Sequence, residues 1–579
     1  MDNPAGRPEC GGSFPVLGTG MVRGALVWLL TLLLFSAFPN QTLHAVTSTE
    51  REYFDIIRSI DLLGEVYQEV AKDYVDRIDS GEMMYAGIDG MLHTLDPYTV
   101  FLDEDASKDF GELTSGHYPG IGVSISSLEG KIYVTSTVEG YPASKSGIMV
   151  GDRIVSINTK DLGKLSLEEV KDLIKGPAGS AITIRIERQG VPAFSLKLVR
   201  EEVRVNSVNY SGLIEGIGYI EMKNFGTRAA DDLRNAYQAL RKEALEKKVP
   251  FKGIILDLRN NPGGLLDVAV DVTSLFVRKG SEVVSIKGRL PETSKSYATA
   301  TSPLDASLPL AILVNSETAS AAEIVSGAIQ DLDRGVIIGG RSYGKGLVQS
   351  VIRISYGHTL KITTAKYYTP SGRLIQKDRD DDDERSPRKV LPGKDKKQAA
   401  KVYFTSGRRK VYGGGGITPD IEVADPVLPP YLSELRRRGL LFLFSSGYRS
   451  TNSSMPLIPL ERKGLMASFG DFIRNRKFMF TMETEQRFNE LKASIEQERP
   501  ERDENREKIL AGLKEEIDRI REREIEHESD RVAAALEVEI LRHYNERLAR
   551  RAELDQDPAV KKAVEVLADS HRYSSVLHL

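Results

Sequence analysis

The sequence has 579 residues, of which 40% are hydrophobic and 28% charged, and its formal net charge is −4. This length exceeds what one hydrophobic core accommodates, so two to four domains are expected, and the composition is that of a globular protein. The charge balance excludes a strongly basic, nucleic-acid-binding surface, so we expect no nucleic acid partner.

The N-terminal segment is typical of an export signal. Arg23 precedes an apolar run from Ala25 to Phe38, which at about 14 residues is shorter than the roughly 20 that cross a bilayer. Ala45 ends a stretch suited to signal cleavage. We predict a signal peptide and N-terminal extension over residues 1–45 and a periplasmic or cell-envelope location. An uncleaved membrane anchor is the alternative.

The next segment, residues 46–112, is predicted to be helical. Apolar residues recur at helical spacing at Ile56, Ile60 and Leu63. The sequence LDPY, from Leu95 to Tyr98, breaks this pattern with a turn.

Residues 113–202 change to short strands with one capped helix, SLEEVKDLIKG. This order, and the stretch GIMVGDRIVSIN at residues 147–158, resemble a PDZ domain of the bacterial type. A PDZ domain binds an extended peptide at an open strand edge and holds its carboxylate with backbone N–H groups. The loop YPGIGV matches that carboxylate-binding loop, and the predicted peptide-binding residues are Tyr118, Gly120, Ile121, Gly122 and Val123. A PDZ domain used only for internal packing is the alternative.

Residues 203–425 alternate strands and helices, which predicts an α/β core. A charged insert at residues 376–412 is predicted to contain a disordered loop. Residues 426–579 are helical and highly charged, with an apolar stripe that includes Leu510, Leu513 and Ile517. That stripe predicts either packing within its own domain or a surface for self-association or an adaptor protein.

A candidate nucleophile follows a buried strand within the core. Ser320 stands at a strand-to-helix junction, which is a favourable place for a nucleophilic serine. The amide N–H of Ala321 and an amide from the glycine turn at Gly263 and Gly264 are the predicted oxyanion hole, worth roughly 3–4 kcal/mol per donor.

The candidate base is Lys345, in the stretch GGRSYGKGLVQ. A phosphate-binding loop needs Ser or Thr after the lysine and then a helix, whereas Gly346 and a β-branched strand follow here. A Ser–Lys pair requires a lysine pKa lowered by burial. Gln349 is predicted to orient this lysine, and Glu323 and Asp331 are candidates for supporting roles. His358 is interpreted as a surface turn residue.

Several motifs together resemble the C-terminal processing peptidases, also called tail-specific proteases. They are LDPYT, the PDZ stretch, DLRNNPGGLL, SETASAAEIVSGAIQD, GGRSYGKGLVQS, TAKYYTPSGRLIQ and GGGITPDIEV, in family order over residues 50–425. The resemblance implies that Ser320 is the nucleophile, Lys345 the general base and Gln349 the lysine-orienting residue. It also implies a multidomain α/β fold with a crotonase-like core and a PDZ domain, and cleavage of proteins near their C-termini without a cofactor or metal.

Two other function classes share parts of this pattern. A proteolytically inactive PDZ adaptor would lack the Ser–Lys pair, and a crotonase-type acyl-CoA enzyme would lack the PDZ domain and the signal. We expect protein substrates with apolar C-termini, a homo-oligomer, and an adaptor as a further partner. The chain's own apolar end, Val576, Leu577 and Leu579, suggests a tail that occupies the PDZ groove, the alternative being a terminus without a role.

Overall fold

The computed structural model describes residues 48–377, 401–501 and 503–578. The chain divides into two compact units, Met1–Gly90 and Met91–Leu579. The predicted signal segment and most of the charged insert lie outside the described residues. None of the helices in the described ranges has the length and apolar character needed to span a bilayer.

The described part of the first unit is helical, as predicted. It contains helix α1, Ser48–Asp73, and most of α2, Ser80–Leu92. The hydroxyl of Tyr67 donates to the carbonyl of Ser80 at 2.6 Å, which fixes the end of one helix against the start of the next.

The second unit begins with a short strand, a helix and the predicted PDZ region. These elements are β1 Val100–Leu102, α3 Glu104–Ser115, β2 His117–Gly120, β3 Val123–Leu128, β4 Lys131–Thr137, α4 Pro142–Lys145, β5 Arg153–Ile157, β6 Lys160–Asp161, α5 Leu167–Ile174, β7 Ala181–Arg188, β8 Val191–Val199 and β9 Glu201–Arg204.

The PDZ region is an antiparallel sheet in the order β3-β4-β5-β7-β8, with β6 beside β5 and β3 at one edge. Its core contains Ile121, Ile154 and Ile184, all nearly or fully buried. The predicted cap of α5 is present, because Glu169 accepts the amide of Ser166 at 2.7 Å. Strands β2 and β9 pair with each other where the chain enters and leaves this sheet.

The α/β core follows, in agreement with the sequence. Its elements are β10 Val208–Ile214, β11 Ile217–Met222, α6 Ala229–Glu246, β12 Gly253–Asp257, α7 Leu266–Ser274, β13 Glu282–Gly288, β14 Lys295–Ala298, β15 Leu310–Val314, α8 Ala321–Asp331, β16 Val336–Gly339, β17 Leu347–Arg353, β18 Thr359–Tyr368, β19 Val402–Phe404, β20 Lys410–Tyr412 and β21 Ile421–Glu422, with a short 3₁₀ turn at Pro291–Thr293 and another at Ser355–Gly357.

Two sheets build this core. The main sheet has the order β10-β11-β12-β15-β16-β21 and is parallel from β11 onwards. Its central strands β12 and β15 are buried throughout and apolar except for Asp257, as expected for a parallel sheet covered on both faces. The second sheet has the order β1-β18-β13-β14, and β17 also pairs with β18.

The remaining residues form the predicted C-terminal helices. They are α9 Pro430–Arg437, α10 Leu440–Thr451, α11 Arg462–Asn475, α12 Glu483–Glu498, α13 Glu504–His527, α14 Ser529–Tyr544, α15 Glu546–Leu554, α16 Pro558–Ala568 and α17 Ser570–Leu577. Helices α9, α10, α11 and α14 share a cluster of their own.

The last two helices, α16 and α17, pack against the main sheet of the core. The sequence pattern places them instead in a separate C-terminal helical region. Helices α6, α7 and α8 cover one face of the main sheet, and residues of α16 and α17 cover the other. Leu577 is only 1% exposed, and the amide of Leu310 donates to the hydroxyl of Tyr573 at 3.1 Å. The prediction that the chain's end occupies the PDZ groove is therefore wrong: Leu577 lies against the core sheet, and Leu579 lies outside the described residues.

Candidate active site

Ser320 lies in a strained turn between β15 and α8. Its backbone has φ 55° and ψ −117°, a conformation that a residue with a side chain rarely adopts. Such strain persists only where the surroundings impose it, and it concentrates at functional sites. Here the neighbouring Thr318 fixes the turn, since its hydroxyl donates to the carbonyl of Leu258 at 2.9 Å and accepts the amide of Asn315 at 2.9 Å.

The predicted glycine turn lies directly against this serine. A Cβ added at Gly263 would come within 2.8 Å of both the nitrogen of Ala321 and the Cβ of Ser320. Only glycine fits there, and its φ of 99° also favours glycine. The close approach places the turn beside the N-terminus of α8, where the amide of Ala321 has no preceding helical turn to donate to.

The structure narrows the predicted oxyanion donors. The amide of Gly263 already donates to Asn261 Oδ1 at 2.9 Å. Two hydrogen bonds join this turn to Phe225: the amide of Phe225 donates to the carbonyl of Gly263, and the amide of Leu265 donates to the carbonyl of Phe225. The amide of Gly263 is therefore occupied within its own turn, and Ala321 and Gly264 stay as the predicted oxyanion donors.

One buried carboxylate joins the candidate nucleophile to the candidate base. Glu323 is fully buried, and its Oε2 accepts the amide N–H of Ser320 and that of Lys345, both at 2.9 Å. Because both bonds end on one oxygen, the two amide nitrogens are no more than about 6 Å apart. Its Oε1 accepts the hydroxyl of Ser342 at 2.5 Å and the amide of Gly344 at 2.8 Å. Burial raises the pKa of Glu323, and these four hydrogen bonds oppose that rise.

A tyrosine that the sequence analysis did not single out makes a second link. The hydroxyl of the buried Tyr367 lies 3.1 Å from the carbonyl oxygen of Ser320 and also contacts the carbonyl oxygen of Lys345. It comes from β18, within the TAKYYTPSGRLIQ motif. Tyr367 and Glu323 together fix the separation of the two segments.

Lys345 has the environment that a neutral lysine needs. Burial, with a smaller contribution from the charge of Lys361, lowers the pKa of Lys345 to about 8. The carboxylates of Glu323 and Asp96 act in the opposite direction. At that pKa about a tenth of the amine is unprotonated at pH 7, compared with well under a thousandth for an ordinary lysine, and the neutral form is the one that a general base requires.

Comparisons with known proteins bear on the same residues. Residues 216–385, which contain Ser320 and Lys345, match the model of peptidase family S41. Residues 133–188 match a PDZ domain, residues 431–567 the C-terminal helical domain of probable PDZ-proteases, and residues 26–106 the N-terminal domain of the activating protease CtpB. A carboxy-terminal-processing protease of Bartonella bacilliformis is 35% identical, over 62% of this chain and 81% of that protein. This chain belongs to the carboxy-terminal processing proteases.

A second relative agrees with that membership. The carboxy-terminal processing protease CtpA of Bacillus subtilis is 33% identical, over 55% of this chain and 66% of that protein. Among solved structures, a photosystem II D1 C-terminal processing protease is 28% identical, over 64% of this chain and 94% of that one, with a TM-score of 0.33. The peptide-bound PDZ domain of a Vibrio cholerae carboxy-terminal protease is also 28% identical, over 15% of this chain and 99% of that one, with a TM-score of 0.15. Membership in the family, with the matches at residues 216–385 and 133–188, makes the chain a serine-type endopeptidase with a PDZ domain.

The role predicted for Gln349 in this protease differs from what the structure shows. Its side-chain amide donates to Thr363 Oγ1 at 3.4 Å, and within the described residues it makes no hydrogen bond to Lys345. Gln349 lies on β17, paired with Thr363 of β18. The ring of Tyr98 lies against the lysine instead, with Nζ 4.6 Å from the ring centroid.

His358 lies far from the Ser–Lys pair, as its interpretation as a turn residue implies. It follows the turn between β17 and β18, where its ring lies 5.1 Å from that of Phe101. The amide of Tyr367 bonds the carbonyl of Gly346 at the other end of this hairpin, about 25–30 Å away for strands of this length. Asp331, the other supporting candidate, pairs with the buried Arg373 at the end of α8 and stabilises the fold there.

The predicted peptide-binding loop of the PDZ domain runs from β2 into β3. Tyr118 and Gly120 lie on β2, and the side chain of Ile121 is buried in the domain core. Gly122 has φ 74°, and a Cβ there would approach Tyr141 to 2.7 Å. Val123 begins the edge strand β3. The loop thus presents backbone and small residues next to an open strand edge.

Proposed function

We propose that this protease is an exported endopeptidase that captures an apolar C-terminal tail through its PDZ domain and cleaves nearby with Ser320 as nucleophile and Lys345 as general base. The observation that carries the proposal is the shared oxygen of Glu323, which holds the amides of both residues. The lowered pKa of Lys345, about 8, supports its role as the base.

The chemistry follows from the functional groups. Neutral Lys345 Nζ removes the hydroxyl proton of Ser320 as Oγ attacks the scissile carbonyl carbon. The amides of Ala321 and Gly264 stabilise the oxyanion that forms. The lysine ammonium then gives its proton to the departing amine, and an acyl-enzyme remains. Water, deprotonated by Lys345, attacks this ester, and collapse of the second tetrahedral intermediate frees Ser320 and the new carboxyl end.

The PDZ part of the proposal is supported by the edge strand. Strand β3 pairs on one side with β4, and it stands at the end of its sheet. A peptide can add to the other side as a further strand, with its carboxylate at the loop that contains Gly122. An apolar C-terminal side chain is the chemistry that such a groove accepts.

Export, assembly and an adaptor are further parts of this proposal. The Arg23 and Ala25–Phe38 pattern supports export, and the substrates would then be periplasmic or envelope proteins. Self-association and adaptor docking are supported by the helical hairpin α12–α13, which exposes Leu491, Ile509 and Leu513.

The decisive experiment compares three single variants on an unfolded protein substrate. We expect Ser320→Ala and Lys345→Ala to lose cleavage while they keep the melting temperature and circular dichroism of a folded protein. His358→Ala is the control and should retain most activity. The wild-type rate should rise as pH passes through about 8, since only the neutral amine is a base. A Lys345→Ala enzyme with near-normal turnover would refute the mechanism.

A further inference from the structure

The LDPYT segment, which breaks the N-terminal helices, lies beside the catalytic lysine in the folded protein. The ring of Tyr98 has Lys345 Nζ 4.6 Å from its centroid, within the range of a cation–π contact. The hydroxyl of Tyr98 also lies 3.4 Å from that of Tyr343, in the loop that leads to Lys345. This segment thus contacts both the base and the loop that carries it.

The segment is a closed turn, held by one carboxylate. Asp96 Oδ1 accepts the amides of Tyr98 and Thr99 at 2.8 Å and 2.9 Å, and Oδ2 accepts the hydroxyl of Thr99 at 3.1 Å. An aspartate that accepts backbone amides two and three residues ahead fixes the backbone of such a turn. The ring of Tyr98 therefore projects from a backbone of defined conformation.

The turn is also attached to the hairpin that begins at the base. Thr99 is buried, and its Oγ1 accepts the amide of Thr363 on β18 at 3.2 Å. The next residues, Val100–Leu102, form β1 and pair with Thr359–Lys361 of the same strand. Strand β17, which starts just after Lys345, pairs with β18 as well. The turn and the lysine consequently share one rigid support.

We propose that Tyr98 is a positioning residue for the general base, and that the turn Asp96–Thr99 holds its ring against Lys345 to keep the Nζ dry and in place. The inference rests on the Ser320–Lys345 mechanism proposed above. Tyr98 acts through the lysine and is assigned no contact with the substrate.

Two effects of the ring oppose each other. Its π face attracts the ammonium form, whereas its bulk excludes water and disfavours that form. The charged groups that face the lysine are Lys361 from β18, Glu323 from α8 and Asp96 from the turn itself. Burial is the largest influence on the pKa of Lys345 and lowers it. Removing the ring admits water to the amine, and we expect this effect to outweigh the loss of the cation–π contact, so that the pKa of Lys345 rises.

The experiment separates the ring from the hydroxyl by comparing Tyr98→Phe with Tyr98→Leu in the full-length protein. We expect Tyr98→Phe to keep both kcat and the pH profile. In Tyr98→Leu we expect kcat to fall about 10- to 100-fold, as for a displaced catalytic group. The acidic limb of its pH–kcat profile should move upward from about 8 towards the ordinary lysine value, whereas KM stays within about twofold.

A matched control is available in the same protein. Tyr297 on β14 stacks with Lys295, whose Nζ lies 4.4 Å from the ring centroid, so Tyr297→Leu removes an equivalent pair away from the site. It should leave kcat and the acidic limb unchanged. If Tyr98→Leu does not fold, Thr99→Val removes the hydroxyl that bonds Asp96 and the amide of Thr363, which loosens the same turn without changing the charge beside Lys345, and it should shift the acidic limb in the same direction.

Two outcomes would overturn the inference. One is an unchanged acidic limb in a folded Tyr98→Leu or, where that variant does not fold, in Thr99→Val. The other is a loss in Tyr98→Phe equal to that in Tyr98→Leu, which would assign the effect to the hydroxyl. Lys345→Ala, assayed in parallel, distinguishes this failure from failure of the mechanism: an inactive Lys345→Ala with a normal Tyr98→Leu refutes only the role of Tyr98.

Discussion

At the residue scale, Glu323 is a fully buried carboxyl group held by four hydrogen bonds. Burying a carboxylate away from water destabilises the folded protein unless hydrogen bonds replace those to water. Here four donors supply them. Three of them are backbone amides of residues 320, 344 and 345. Glu323 thereby fixes the spacing between the proposed nucleophile and the proposed base.

We predict that Glu323→Gln lowers kcat by about 100-fold, because a positional error of about 1 Å has an effect of that size. The side-chain NH2 of the new glutamine would point at groups that themselves donate hydrogen bonds, so the free energy of unfolding should fall by about 1–3 kcal/mol. Glu317→Gln is the matched control, since Glu317 is an exposed residue of the same turn. Steady-state kinetics and urea unfolding of both variants test this, and equal kcat values would contradict it.

We also predict that Lys345→Met is inactive but more stable than the wild type at pH 7. The folded pKa of Lys345, about 8, lies below the ordinary 10.5, so the unfolded chain binds more protons between these values. Wild-type stability therefore rises with pH across that window, and the penalty is complete only below it. The advantage of the variant should be up to about 3 kcal/mol at pH 7 and should fall below about 1 kcal/mol at pH 10.

Urea unfolding of both proteins at pH 7 and near pH 10 measures this difference. A variant that is less stable than the wild type at both pH values would show that the lysine is not buried at a cost.

At the element scale, the PDZ loop depends on one left-handed glycine. Gly122 combines φ 74° with a Cβ position that Tyr141 already occupies. Gly130, in the β3–β4 turn, has φ 70° but open space around it. An alanine at either position would strain the backbone, but only an alanine at Gly122 would also collide with Tyr141. Comparing the two substitutions therefore separates the collision from the strain.

We predict that Gly122→Ala weakens binding of a peptide with a free, apolar C-terminus by at least about tenfold, because the loop must move away from Tyr141. Gly130→Ala pays the same backbone strain and should bind normally. Amidating the peptide should weaken binding to the wild type by a similar factor, if the loop holds a carboxylate. Fluorescence anisotropy with the two peptides and three proteins tests this, and indifference to amidation would refute the role of the loop.

At the scale of the whole molecule, the C-terminal helices serve two purposes. Helices α16 and α17 close one face of the main sheet through Val560, Val566 and Leu577, which are almost fully buried. Asp557 caps α16 and pairs with Arg259 of the DLRNNPGG segment at 2.8 Å. The α12–α13 hairpin, in contrast, is highly charged and exposes apolar side chains.

We predict that truncation after Gln556 prevents stable folding of the core, because it uncovers the apolar face of the main sheet and each large buried side chain contributes about 2–5 kcal/mol. Replacing Glu483–His527 by a short linker should leave the core folded. If the hairpin mediates assembly or adaptor docking, the same change should alter particle mass or partner capture.

Circular dichroism and light scattering of both variants distinguish these roles. A truncated chain that melts like the wild type would refute the structural role of α16 and α17. A hairpin variant of unchanged mass and partners would refute the role in assembly.

The sequence by itself determined the features that short motifs encode. The PDZ domain, the α/β core, Ser320 after its buried strand and Lys345 between glycines all follow from local periodicity, capping and turn residues, together with the family resemblance. Such patterns are readable because each depends on neighbours within a few positions of the chain.

Only the tertiary structure decided how the pieces meet. Tyr98 lies against Lys345 and Asp557 against Arg259, although hundreds of residues separate each pair in the chain. The occupied amide of Gly263, the shared oxygen of Glu323 and the burial of Leu577 depend on the same long-range packing. No periodicity predicts these contacts, because helix and strand patterns state which face is apolar but not which distant element covers it.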